Sequence, residues 1–342
     1  MQPCLEDNRS FFEKLQNATD LDLRDKRGKR YELAIILVGV TLALLGNRDG
    51  CLSSVHRHIK NHYVKLMRHL KLEIKSPISR PQLPRVLEKV SVEVFDGLLF
   101  AHYGIKLEEN ERKWFAGDGK PLRGSIVKGE KRGEAVVQIV EHKTLGIHSQ
   151  TYYSGRKESE VPTIRKLLEE NGLCGQKISL DALHCKPKTL APIVGAGGIY
   201  LVGLKKNQKE MLAEVKQATE NSSFLYQTDG WEKGHGRIEY RKSEVYDLKE
   251  IYQAERWNNC EIRTVVKVKR EQTEVKSNKK GVETSYYLTN QSENYQELCE
   301  AVRNHSTVET NNHIRDVTLK EDKMRTKKMV SVGYWQELEV LP

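Results

Sequence analysis

Two aspartates, Asp118 and Asp181, each close an apolar run that reads as a strand. Carboxylates of this kind, brought together, offer the hard oxygen ligands that hold a divalent cation. A cation so held suits the cutting or joining of phosphodiesters. Whether the two meet depends on the elements between them. Lys113 to Asp118 reads as a strand, Glu134 to Lys143 and Gly146 to Ser154 as a hairpin, and Glu160 to Asn171 as an amphipathic helix; Lys177 to Leu180 is then a short strand that delivers Asp181. A helix around Lys188 to Val194, a strand Ile199 to Leu204 and a helix Gln208 to Ala218 follow. The β-β-β-α-β order predicts an α/β fold whose mixed sheet can set its first and fourth strands side by side. Arg123, Lys186, Lys205 and Lys206 fall near the expected strand ends, where they would neutralise phosphates.

A third carboxylate has two candidates. Glu239 lies in a strand-like stretch, Gly234 to Glu239, inside what reads as an insertion; Glu309 lies in Asn304 to Glu309, on a helix that would pack back against the sheet. The sheet-plus-helix order favours Glu309, because an insertion ahead of the final helix leaves that helix free to return to the aspartates. His184 beside Asp181 reads as a structural group or a phosphate contact. His56, His58, His62 and His69 recur partly at helical spacing, but no carboxylate or cysteine completes a ligand set nearby, so an exposed basic helix explains them better.

Charge points the same way. The chain carries 57 Lys and Arg against 47 Asp and Glu, a net +10. The excess is local: Cys51 to Val90 holds nine basic and two acidic residues, net +7, a density suited to a polyanion such as DNA. Six scattered cysteines form no C-x-x-C pair, which argues against a zinc ribbon or a disulfide framework and for a reducing cytoplasm. Met1 leads into the polar run Glu6 to Glu13 rather than a targeting segment. Leu33 to Leu45 is shorter than the ~20 residues of a membrane span and reads as a buried core helix. Val55, Ile59, Leu66, Leu70 and Leu72 recur at helical spacing, Ser76-Pro77 and Arg80-Pro81 interrupt, and Leu83 to Leu99 resumes the pattern. Beyond Ala218, Arg237 to Tyr246, Glu261 to Lys269 and Thr284 to Leu288 read as strands, with a basic loop from Lys269 to Gly281 between the last two. A helix from Asn294 to about Asn312 closes the pattern.

Several of these stretches resemble one family in order. Asp118 to Ser125 resembles the "DGKxLRGS" motif of bacterial insertion-sequence transposases of the ISAs-one, or H-repeat-associated, family, and Asp181 to His184 its "DALH". Tyr200 to Gln208 is similar to its "KxNQ" strand end, Gly234 to Glu239 to its "GHGRIE", and Val308 to Asp322 to "IENxLHWxLDVxFxED". The resemblance runs from about Leu21 to Lys328. It implies a helical, DNA-binding N-terminal domain over residues 1–108 and an RNase-H-like DDE domain over 109–328 with a β-rich insertion at about 222–290. It implies Asp118, Asp181 and Glu309 as catalytic and metal-binding residues holding two Mg²⁺ ions, or Mn²⁺, some ~3.5 to 4 Å apart, one activating water or a 3′-hydroxyl and the other stabilising the leaving oxygen. The implied partner is double-stranded DNA, bound by a homodimer, in the bacterial cytoplasm at the nucleoid.

The chain departs from the family at two places. Ser306 stands where the motif has tryptophan, and an aromatic expected between His313 and Ile314 is missing. Residues 329–342 no longer resemble the family's apolar terminal helix, which predicts a truncated or degenerate copy with impaired joining. Two other functions stay open: an RNase-H-fold nuclease that cuts without joining, and a decayed copy that binds DNA without catalysis.

Overall fold

The computed structural model describes residues 9–46, 51–103, 107, 111–126, 133–153, 157–234, 236–248 and 255–318. The N-terminal part is helical: α1 (Phe11–Asn17), α2 (Leu33–Gly46), α3 (Leu52–His69), α4 (Gln82–Leu87) and α5 (Val92–Tyr103). Ser10 opens α1 with a capping box, its side chain accepting from Glu13 N while Glu13 caps in return. α2 is buried on most sides, as its unbroken apolar run requires. The apolar stripe of α3 differs from the one expected: Val55, Ile59, Tyr63 and Met67 are buried, while Leu66, Leu70 and Leu72 are partly exposed. Tyr63 fills the i+4 place that an aliphatic scan passes over. Leu83 to Leu99 is likewise two helices, because Val90 leaves helix to bridge Asp22.

One nine-stranded sheet carries the rest, in the order β3-β2-β1-β4-β5-β9-β8-β7-β6. Its strands are β1 (Trp114–Pro121), β2 (Ala135–Glu141), β3 (Ile147–Tyr153), β4 (Lys177–Leu180), β5 (Ile199–Leu204), β6 (Tyr226–Gly234), β7 (Arg237–Asp247), β8 (Thr264–Glu274) and β9 (Lys280–Thr289). β1, β4 and β5 are parallel neighbours, and every other pairing is antiparallel. α6 (Lys157–Glu170) and α7 (Pro187–Gly195) form the crossovers, and α8 (Lys209–Asn221) follows β5.

The central strands are apolar on both faces because both faces are covered. Phe115, Val137, Ile139, Ile178, Leu180, Tyr200 and Val202 pack with Ile164, Leu168, Leu190 and Ile193 of α6 and α7 on one side. On the other, Trp114, Leu201, Val245 and Val266 meet Leu298, Ala301 and Val302 of α9 (Tyr295–Asn304), while Ala116, Val140 and Ile147 meet Val308 of α10 (Thr307–His313). The final helix is thus broken at His305-Ser306, and a π turn, Ile314–Thr318, follows α10. The stretch expected as a loop, Lys269 to Gly281, is mostly strand: β8 and β9 run on to a tight connection, pairing Thr273 with Lys280. β6 was not expected at all. The outer halves of β6 to β9 form an arm whose residues are largely exposed, with Trp231 at 72%.

Candidate active site

β1 and β4 run parallel with Ala116 opposite Ser179 and Gly117 opposite Leu180, so the next two positions are Asp118 and Asp181. Side chains alternate along a strand, and Asp181 is still extended at φ −74, ψ 173. The two carboxylates therefore share the face already occupied by Ala116 and Ser179, the face covered by α9 and α10. The opposite-facing Phe115, Ile178 and Leu180 enter the other core.

The return of the chain to this face is fixed at three levels. At the start of α9, Glu297 Oε1 accepts from Trp114 Nε1 at 2.9 Å and pairs with Lys177 Nζ at 2.5 Å. At the break between α9 and α10, His305 Nδ1 lies 2.9 Å from Ser179 Oγ, which also lies 2.8 Å from His142 Nε2 and donates to Phe115 O at 3.3 Å. Burial holds both imidazoles neutral: it lowers His142 to about 3, helped by His305, and lowers His305 to about 4 against an opposing pull from Asp181. Beyond the break, Val308 is buried against Ala116, Val140 and Ile147, a contact that contributes roughly 1.5 to 3 kcal/mol. Asn312 Nδ2 donates to Asp118 Oδ2 at 3.3 Å, and Asp316 pairs with the buried Lys120 at 2.8 Å. Lys120 is thus a tie between β1 and the last turn.

Glu309, exposed on α10, is near enough to Asp118 for its charge to act on it. Asp118 is raised to about 7, first by burial and then by Glu160, Asp181 and Glu309, with a hydrogen bond from Gly119 N opposing. Asp181 accepts from Leu183 N at 2.8 Å. Glu239 is elsewhere. It sits on β7, with β5, β9 and β8 between that strand and β4, roughly 19 Å away at ~4.8 Å per step. Its carboxylate is 8% exposed and accepts from Arg241 Nη2 at 2.9 Å.

The four basic residues expected near the strand ends are all exposed: Arg123 in the turn after β1, Lys186 at the start of α7, and Lys205 and Lys206 after β5. Lys205 is near enough to His305 to help lower its pKa. The residues beside the lysines do work that sequence reading missed. Asn207 Nδ2 donates to Ala182 O at 2.6 Å and Gln208 Nε2 to Cys185 O at 2.8 Å, clamping the turn that follows Asp181. Ser179, His142 and Glu160 were missed too; a buried serine two residues before Asp181, on the same strand face, was the available signal for the first.

Carboxylate oxygens here, among them those of half-buried Asp118, which is raised to about 7 first by burial and then by its neighbours' charges, are chemically suited to a hard divalent cation. Among the described residues no group of three or more His, Cys, Asp or Glu side chains is already placed to hold a metal ion. Carboxylates without a cation repel one another, and magnesium keeps several waters rather than demanding an all-protein cage.

No protein-family model matches the chain. It is 25% identical over 253 residues to YncI of Escherichia coli O157:H7, named as a candidate transposase, across 72% of this chain and 65% of that protein. It is 27% identical over 226 residues to YhhI of Escherichia coli K12, named as an H repeat-associated candidate transposase, across 62% of this chain and 58% of that protein. YbfL of the same strain, whose name states no activity, is 28% identical over 234 residues, covering 64% of this chain and 60% of its own. The chain spans about three fifths to two thirds of the length of these relatives. The relationship supports a transposase family.

Proposed function

We propose that this chain is a DDE transposase of the ISAs-one, H-repeat-associated kind, with an RNase-H-like core that cleaves insertion-sequence DNA ends and joins them to a target. One observation carries this reading: Asp118 on β1 and Asp181 just after β4 follow paired positions of adjacent parallel strands, and Asp118, raised to about 7 first by burial, also feels the charges of Glu160, Asp181 and Glu309. The element order β1-β2-β3-α6-β4-α7-β5 and the relatives named as transposases support it. Asp118, Asp181 and Glu309 would hold Mg²⁺ or Mn²⁺. The chemistry a divalent cation supplies there is activation of the attacking oxygen and stabilisation of the leaving oxygen.

The chain's own groups do the positioning. Asn312 turns the Asp118 carboxylate, the Leu183 amide fixes Asp181, and Lys120 with Val308 seats the segment that carries Glu309. Arg123, Lys186, Lys205 and Lys206 are free of burial and line the strand ends, where they would neutralise the phosphates on either side of the scissile bond. Hydrolysis frees a 3′-hydroxyl, which attacks the target phosphate in line without a covalent enzyme intermediate. The DNA partner would be gripped further by the basic N-terminal region, whose nine Lys and Arg between Cys51 and Val90 are all exposed, and by pairing of two copies on the DNA. Among the described residues no helix is long and apolar enough to cross a membrane. The degenerate-copy expectation rests partly on residues 319–342, which lie outside the described residues.

The test is an assay of cleavage and joining with DNA taken from either side of the gene, with and without Mg²⁺. Mg²⁺-dependent 3′ cleavage followed by joining supports the reading. Cleavage without joining identifies a nuclease, and DNA binding without cleavage identifies a decayed copy.

A further inference from the structure

A fourth carboxylate stands at this site, on an element that neither the motifs nor the relatives' names single out. Glu160, in the first half of α6, is 13% exposed at its side chain and reaches β1 at Gly119 from the face opposite α10. Its packing is close enough that a Cβ added at Gly119 would lie 2.6 Å from Glu160 Cδ and 2.8 Å from Oε2. The residue after Asp118 thus has no side chain because this carboxylate occupies the space. Glu160 Oε2 accepts from Tyr153 Oη at 3.2 Å. Its other oxygen, Oε1, lies 3.4 Å from His184 Nε2, and that nitrogen is 3.7 Å from Asp181 Oδ1. His184 is fully buried, and neither of its ring nitrogens makes a hydrogen bond.

These facts are hard to reconcile with a helix residue that merely solvates a surface. A buried polar nitrogen left without a hydrogen bond costs about 1 to 3 kcal/mol, and here it points between two carboxylates. Among the charges that act on Asp118, Glu160 comes ahead of Asp181 and Glu309. A constellation of this kind, closed on one side by a tyrosine hydroxyl and on the other by an imidazole, keeps its excess negative charge against β1 at Gly119, beside Asp118, where a hard cation would find oxygen ligands.

We propose that Glu160 is a further carboxylate of the divalent-cation site, approaching Asp118 from α6 while Glu309 approaches from α10, with His184 as a positioning residue between Glu160 and Asp181. The inference rests on the metal-dependent reading of the site. It adds a cation contact from a helix outside the three-carboxylate set.

The experiment is calorimetric titration of the full chain with Ca²⁺ and with Mn²⁺, without DNA, beside thermal unfolding of the cation-free protein. Wild type should bind. Glu160→Gln should weaken binding roughly 10- to 100-fold, the range for losing a group that supports a metal site. Gly119→Ala removes no carboxylate and pushes Glu160 aside, so it should weaken binding in the same direction, while Glu160→Asp should recover part of the loss. Asp118→Asn serves as the reference for a lost ligand. If Glu160→Gln and Gly119→Ala both fold and bind as wild type does, Glu160 is structural and this inference falls alone. If wild type binds neither cation, the metal-dependent reading falls with it. Should Glu160→Gln not fold, Gly119→Ala and Glu160→Asp decide the matter by the same criterion.

Discussion

Two acidic positions on the same sheet are treated in opposite ways. Glu239 on β7 is buried and answered at once by Arg241 at 2.9 Å, so its charge is balanced within the arm. Asp118 on β1 is half-buried and faces Glu160, Asp181 and Glu309, with Asn312 and the Gly119 amide as its hydrogen-bond donors. Structural carboxylates are paired where they are buried. A carboxylate kept among its own kind is held at an energetic cost, and such perturbed groups gather where chemistry needs them. The family motif that contains Glu239 is therefore read as an ion-paired strand of the arm, and the motifs that contain Asp118, Asp181 and Glu309 as a converging site.

The largest expected effect breaks the strand-end site itself. Asp118→Asn or Asp181→Asn should lower Mg²⁺-dependent cleavage by roughly 100- to 1,000-fold, the scale for removing one preorganised electrostatic group. Circular dichroism should show the fold unchanged. The same Asp118→Asn change should raise the stability of the cation-free chain by about 0.5 to 2 kcal/mol, because it relieves the crowding that the site maintains for function. Denaturant titration checks the sign, and a loss of stability would mean that the neighbouring carboxylates do not repel Asp118.

Acid exposes a second contrast. The unfolded imidazoles of His142 and His305 take up protons near pH 6.5, whereas the folded ones do so at about 3 and about 4. Their contribution to stability is therefore complete above pH 6.5 and is lost as pH falls towards 4. Asp118 has the opposite sign, since its folded pKa of about 7 lies above the unfolded value and favours the fold as pH falls through 7. Removing it exposes the histidines: Asp118→Asn should show a steeper loss of stability between pH 6.5 and 4 than wild type. Equal slopes would overturn the assignment of these three groups.

Smaller effects belong to the basic face of α3 and to position 306. Each of Arg57, Lys60, Lys65 and Arg68, exposed on α3, should reduce the slope of log affinity against log salt by about 0.9 when changed to alanine, if it contacts a phosphate. Salt-independent binding would assign the helix a structural role. Ser306 is exposed at the break between α9 and α10, its hydroxyl donating to Arg303 O. Ser306→Trp should thus change stability by no more than about 0.5 kcal/mol. A larger gain would show that an aromatic there packs the helix.

The sequence was most legible where both faces of a strand are covered. Lys177–Leu180 and Ile199–Leu204 stand out as short apolar runs because α6 and α7 cover one side and α9 the other, and their ends coincide with the strands of the sheet. The same logic explains the failures. β6, with Thr228, Asp229, Gly230 and Glu232, and the outer half of β9 are largely exposed, and the outer half of β8 is mostly half-buried, so no apolar alternation marks them. The break at His305-Ser306 has neither Gly nor Pro to announce it, being fixed by the contact of His305 with Ser179 across the fold. Asp181 could be picked out because it follows a strand end, and Asp118 because its apolar run stops there, although β1 itself runs on to Pro121. Glu160 could not: an acidic residue early in an amphipathic helix looks like any solvated one, and its place against Gly119 exists only in three dimensions.

The central claim is that the third carboxylate reaches the aspartates from α10 and that the acid of the arm does not. Glu309→Gln and Glu239→Gln, compared in one Mg²⁺-dependent cleavage assay on flanking DNA, test this most directly. Glu309→Gln should abolish cleavage while leaving DNA affinity nearly intact, and Glu239→Gln should cleave within about twofold of wild type, ~0.4 kcal/mol in barrier. Loss of cleavage in Glu239→Gln with full activity in Glu309→Gln would contradict the account and move the third ligand to the arm.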